Sequence, residues 1–169
     1  MTAVLDGYRD RAVGRRLKLF QRADALKRGI TLIEWTFDPL VAKNAHFNFM
    51  RLGAIARRYL PNAYGVTTSP LHGSLPTDRL VAEWRLTSPR VRRILTQRQT
   101  ATAISRKAVR IPIPYESDTL RATDPGQAKR IQSEVRAKFI KWFARGYIAT
   151  ALLPGENGMD YILESGRTT

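Results

Sequence analysis

Residues 1–39 read MTAVLDGYRDRAVGRRLKLFQRADALKRGITLIEWTFDP, and their pattern sets the expected fold class. Met1 to Leu5 is a short apolar run that stops at Asp6-Gly7, a turn dipeptide, and so has the character of a strand. From Val13 the apolar residues Val13, Leu17 and Phe20, then Leu19, Ala23, Leu26 and Ile30, recur at three and four, while Arg15, Arg16, Lys18, Arg22, Lys27 and Arg28 fill the rest. That spacing predicts an amphipathic helix, and Gly29 ends it because glycine accepts the left-handed conformation of a helix stop. Residues 30–37, ITLIEWTF, are β-branched and aromatic and close at Asp38-Pro39, which predicts a buried strand. Strand, helix and strand in succession form a βαβ unit, whose strands are parallel and joined by a right-handed crossover.

Outward from that unit, residues 40–52 predict a second helix stopped by Gly53, and residues 54–60 a short strand. A loop rich in proline and glycine leads to a strand over residues 78–86, which should pair antiparallel with 54–60. Residues 87–108 are basic and rich in Ser and Thr, with a weak helical pattern, and read as a connection. Beyond it Val109, Ile111 and Ile113 alternate, and Pro112 and Pro114 place that strand at a sheet edge because proline gives no ladder N–H. Asp124-Pro125 starts a helix to about Arg145, with Ile131, Val135, Phe139, Trp142 and Phe143 on its apolar side and Gly146 closing it. Residues 147–153 and 159–163 flank a Pro-Gly-Glu-Asn-Gly turn and predict a hairpin. The expected architecture is α/β (α+β): a partial mixed sheet with flanking helices over residues 1–86, the basic connection 87–108, and a small strand, helix and hairpin module over 109–169.

Composition narrows the chemistry. The chain has 169 residues, 29 Lys and Arg against 14 Asp and Glu, 43% apolar residues and no cysteine. That apolar share supports a folded core, and one domain plus a small appendage is the natural size. Without cysteine there is no thiolate metal site and no thiol nucleophile, and His46 and His72 alone give poor support to a His-rich metal centre or a Ser-His-Asp triad. No metal is expected. No apolar run is long enough to span a bilayer, so the expected location is the cytoplasm, without membrane association. Residues 1–60 carry 12 basic and 5 acidic side chains, whereas residues 124–169 carry 7 and 5. An electropositive N-terminal region attracts polyanions or phosphorylated ligands, although a solvated basic surface explains many of these residues equally well.

Residues 8–16, YRDRAVGRR, lie between a strand end and a helix start. Small residues at Ala12 and Gly14 let backbone N–H groups approach a ligand, the helix N-terminus adds positive dipole, and Arg9, Arg11, Arg15 and Arg16 offer charge-assisted hydrogen bonds. An ordinary turn on a basic surface has the same composition, and the residues alone do not separate the two readings. The segment Arg9-Asp10-Arg11-Ala12-Val13-Gly14 resembles the acyl-CoA pyrophosphate loop of the GNAT acyltransferase superfamily, Gln/Arg-x-x-Gly-x-Gly/Ala, with Ala12 at the first glycine. The subsequent EWTFDPLVAKNAHFNFMRLGAIARRYLPNAYG and LPTDRLVAEW are similar to a branch of predicted N-acetyltransferases in that superfamily. The resemblance is close over residues 1–86 and looser beyond.

The resemblance implies transfer of an acyl group, acetyl being the expected one, from acyl-CoA to an unknown acceptor without a metal. Arg9, Arg11, Ala12, Val13, Gly14 and Arg15 would hold the cofactor, and Asn44 is a further candidate. In the family the strand entering this loop is the fourth, so the sequence is expected to lack the N-terminal half of the domain. A general-base carboxylate often resides in that half. An unprotected Met1–Leu5 edge would then favour self-association. The tyrosine that protonates departing CoA in many relatives falls at Phe49, four positions before Gly53, and Phe49 gives no proton. His46 and Asn48 are the remaining catalytic candidates, His46 because imidazole titrates near neutrality. Asn44 and Asn48, at i and i+4, are expected on one helical face. The alternative reading is a basic nucleic-acid-binding module built on Arg57-Arg58, Arg90-Arg92-Arg93 and Arg106-Lys107, which ranks second because no nucleic-acid motif is present.

Overall fold

A computed structural model describes residues 12–65, 75–96, 104–117 and 119–166. In order the elements are α1 (Val13–Lys27), β1 (Leu32–Phe37), α2 (Ala42–His46) running into a π-helical turn (Phe47–Arg51), β2 (Ile55–Leu60), β3 (Arg79–Arg85), α3 (Pro89–Thr96), β4 (Val109–Pro114), the short α4 (Leu120–Thr123), α5 (Pro125–Phe143), β5 (Tyr147–Pro154) and β6 (Gly158–Ser165). The fold is α+β. One six-stranded sheet has the order β1-β3-β2-β5-β6-β4, and its pairings among the described residues are antiparallel. The expected parallel partner of β1, Met1–Leu5, lies outside the described residues. Across the central pair, β2 and β5 meet at Ala56 and Ala149, so the sheet runs on from the N-terminal strands into those of residues 109–169.

Alternation along the strands sorts their two faces. Ile33, Trp35 and Phe37 of β1 lie opposite Trp84, Ala82 and Leu80 of β3, and this face carries the apolar core. Phe49 meets Phe37 and Tyr161 edge to face, while Phe139 of α5 stacks on Tyr59 and stands edge-on to Tyr161. Helix α5 therefore joins the strands of both halves. Asp124 caps it, accepting the Gln127 N–H at 2.9 Å with Pro125 at the first helical position, as the sequence signal required. On the opposite face Glu83 is buried among Arg57, Arg58 and Arg85, and Arg58 also pairs with Glu34.

Helix α1 departs from its amphipathic reading. Leu17 and Phe20 are 47% and 77% exposed, whereas Lys18 is only 8% exposed, its ammonium 3.8 Å above the Trp35 ring. A cation over an aromatic face, with its aliphatic stem packed, replaces the leucine that periodicity alone would put there. Residues 87–108, read as a connection, contain a true helix, α3, which buries Val91 and Ile94. Gly53 has φ of +77°, and a Cβ there would stand 3.2 Å from the Val91 Cα, so α3 abuts the end of the π turn. No helix among the described residues is long and apolar enough to cross a membrane.

Candidate functional site

The first turn of α1 is assembled from Ala12, Val13, Gly14, Arg15 and Arg16. Ala12 adopts the left-handed conformation, φ 57° and ψ 13°, and its carbonyl accepts the Arg16 N–H at 3.0 Å to start the helix. A left-handed alanine is costly, of the order of 1–2 kcal/mol. Among the described residues no side chain caps this end, and no acidic residue stands in its first turn. The leading N–H groups of a fifteen-residue helix are therefore left without an intrahelical acceptor at its positive end. The Arg15 guanidinium crosses to the Leu95 carbonyl at 3.2 Å, tying this turn to the end of α3. Arg9 and Arg11 lie outside the described residues.

The second candidate group sits on α2 and the π turn. Asn44 is exposed and Asn48 is buried, so of the two only Asn44 is open to solvent. Leu52 N–H bonds the Phe47 carbonyl at 3.1 Å, an i+5 bond that makes the end of this helix a π turn. His46 is exposed, and partial burial of its ring together with the Arg51 charge lowers its pKa. Phe49 is fully buried in the aromatic core. A phenol in its place would bury its hydroxyl among rings rather than present it to a ligand.

Arg90, which carried no distinguishing signal beside Arg92 and Arg93, locks this group in place. Its guanidinium donates to the carbonyls of Gly53 (3.2 Å), Phe49 (3.4 Å) and Thr150. Burial, reinforced by Arg93, depresses its pKa to about 10. Through α3, then, Leu95 reaches the first turn of α1 and Arg90 reaches the π turn, so one short helix holds both candidate groups.

A third cluster is closed. Asp78, its side chain fully buried, receives both arms of Arg136 at 2.8 Å, the Tyr59 hydroxyl at 2.7 Å and the Asn62 N–H at 2.9 Å. Asp38 pairs with Arg121 at 2.6 Å and Arg79 at 3.5 Å, and the Tyr161 hydroxyl donates to the Pro39 carbonyl at 2.6 Å. Burial first, then Asp78, pushes the Tyr59 pKa far up, and burial does the same to Tyr161, so neither phenol moves a proton near neutrality. Among the described residues no group of three His, Cys, Asp or Glu side chains is placed to hold a metal. The hollows along α5, by Gly126 to Glu134 and between β2 and Phe143, are lined by none of the acyl-CoA candidates, and Arg57 and Arg58 line the second. No family model, curated protein or solved structure matches this chain.

Proposed function

We propose that the chain is the acyl-CoA-binding part of a GNAT-like acyltransferase, which moves an acyl group, acetyl in the simplest case, from the CoA thioester to a nucleophilic acceptor. The observation that carries this reading is the first turn of α1, opened by a left-handed Ala12, with no acidic residue of its own and no side-chain cap among the described residues. The N–H groups of Val13, Gly14 and Arg15 would donate to pyrophosphate oxygens, and Gly14 leaves room for that approach because it has no Cβ. Arg16 adds charge that no carboxylate of the turn cancels. In the transfer the acceptor attacks the thioester carbonyl, the C–S bond breaks, and the CoA thiolate leaves with the proton then owed to sulfur. Phe49 lies in the core and cannot supply it, which leaves solvent, or His46 of α2 as the titrating group.

Calorimetry with CoA on the wild type and Gly14→Asp tests the reading. A carboxylate beside the pyrophosphate, and a side chain where backbone must approach, should weaken CoA binding by at least a hundredfold. Equal affinity in the two proteins removes the first turn of α1 from the site. Steeply salt-dependent oligonucleotide binding with no CoA affinity would favour the nucleic-acid reading instead.

A further inference from the structure

The hairpin of β5 and β6 turns through Gly155-Glu156-Asn157-Gly158, and Asn157-Gly158 is the one asparagine-glycine pair in the sequence. Glycine after asparagine favours ring closure between the two, because no Cβ screens the glycine nitrogen from the asparagine side chain. A two-residue hairpin loop that matches the strand twist needs positive φ at one or both of its central residues. The central residues are Glu156 and Asn157, and neither has a positive φ. A turn of this hand splays the strands that it joins.

The splay shows in one hydrogen bond. Pro112 and Pro114 have no N–H to give, so on β4 the bonding residues towards β6 are Ile111 and Ile113, opposite Tyr161 and Met159. Alternation then directs the backbone groups of Gly158 the other way, towards Gly155. The Gly158 carbonyl accepts the Gly155 N–H at 2.9 Å, whereas the reciprocal bond, from the Gly158 N–H to the Gly155 carbonyl, is not made. The Gly158 nitrogen is thus free of the bond that would close the turn. Beside it Asn157 is exposed, and its side-chain amide bonds to no described residue.

We propose that Asn157 is a site of spontaneous deamidation in the folded protein. The Gly158 nitrogen attacks the side-chain carbonyl carbon of Asn157, and its proton passes through solvent to the amide nitrogen, which departs as ammonia. A five-membered succinimide then joins the two residues, formed within the chain and without a catalyst. Water opens this ring at either carbonyl. Opening at the side-chain carbon leaves aspartate on a normal main chain. Opening at the main-chain carbon leaves isoaspartate, whose main chain runs through Cβ and is longer by one carbon. The head of β6 has no room for that carbon, because a Cβ on Gly158 would already run into the Ile113 carbonyl oxygen. Either product also sets a new carboxylate near Glu156 and Asp160, where Arg110 already pairs with Asp160 at 3.0 Å. The proposal does not rest on the acyl-CoA reading.

The test incubates the folded chain and a synthetic peptide of residues 152–161 in mildly alkaline buffer. Aspartate and isoaspartate are then separated by mapping the tryptic peptide 146–167, whose single asparagine is Asn157. Both products are expected, at a rate in the folded chain within tenfold of the peptide's. That rate should exceed conversion at Asn44, Asn48 and Asn62, which precede Ala45, Phe49 and Ala63, by at least tenfold. A folded-state rate more than tenfold below the peptide's would overturn the proposal, because the turn would then protect Asn157. Aspartate without isoaspartate would overturn it as well, by showing direct hydrolysis in place of a ring, and so would earlier conversion of another asparagine. Asn157→Gln, a change at an exposed position, cannot close the five-membered ring and should stay intact. Aged wild type should therefore melt below aged Asn157→Gln, and an equal loss in both would overturn the consequence for β6.

Discussion

Arginines do opposite work at two places in this molecule. Around Asp38 and Asp78 three of them, Arg79, Arg121 and Arg136, are consumed by carboxylates and fasten α4 and α5 to β1 and β3. At the first turn of α1 no acidic residue is present, and Arg15 turns to a carbonyl while Arg16 stays exposed. The difference lies in the partner rather than the residue type. Where a carboxylate is buried, its arginine is part of the fold; where helix N–H groups and arginines face outward together, the surplus is available to an anion.

The contrast is sharpest in stability. Arg136→Ala would leave the fully buried Asp78 carboxylate, among the described residues, with the Tyr59 hydroxyl and the Asn62 N–H alone, and should cost about 3–5 kcal/mol. Arg15→Ala removes one hydrogen bond to a carbonyl and should cost about 0.5–1.5 kcal/mol. Denaturant melts of the two variants check this, and equal losses would break the distinction.

A smaller effect concerns His46. Its pKa is lowered in the folded chain, by burial first and by Arg51 second, so in the window just below the ordinary value of 6.5 the unfolded state binds the proton more readily. Stability therefore falls as pH drops through that window, and His46→Gln should flatten this part of the profile. Thermal melts from about pH 7.5 to 5, which bracket the ordinary imidazole range, read the difference between wild type and variant. A variant that steepens the fall would show that the charged ring is favoured by the fold.

Much of the architecture was legible in the sequence. Pro112 and Pro114 placed β4 at an edge, Asp124-Pro125 started α5, Gly53 and Gly146 sat at left-handed stops, and the hairpin of β5 and β6 fell where the Pro-Gly-Glu-Asn-Gly turn required it. What escaped was set by tertiary contacts. Periodicity could not show that Lys18 rather than Leu17 would pack on Trp35, because the cation–π contact depends on a strand beyond the helix. The π turn at Phe47–Arg51 leaves no mark in residue type. Arg90 is one arginine among several until the carbonyls of Phe49, Gly53 and Thr150 are brought around it. Of the candidate site, the small residues Ala12 and Gly14 ahead of a helix are visible in the sequence, whereas the link through α3 to the π turn is not.

The most direct measurement is a titration of the isotope-labelled chain with CoA, followed through its backbone amide resonances. The largest shifts are expected at Val13, Gly14, Arg15 and Arg16, with smaller ones at α3 and no change around Asp78. Shifts centred instead on Arg57, Arg58 and Arg85, with the first turn of α1 unmoved, would contradict an acyl-CoA site at that turn.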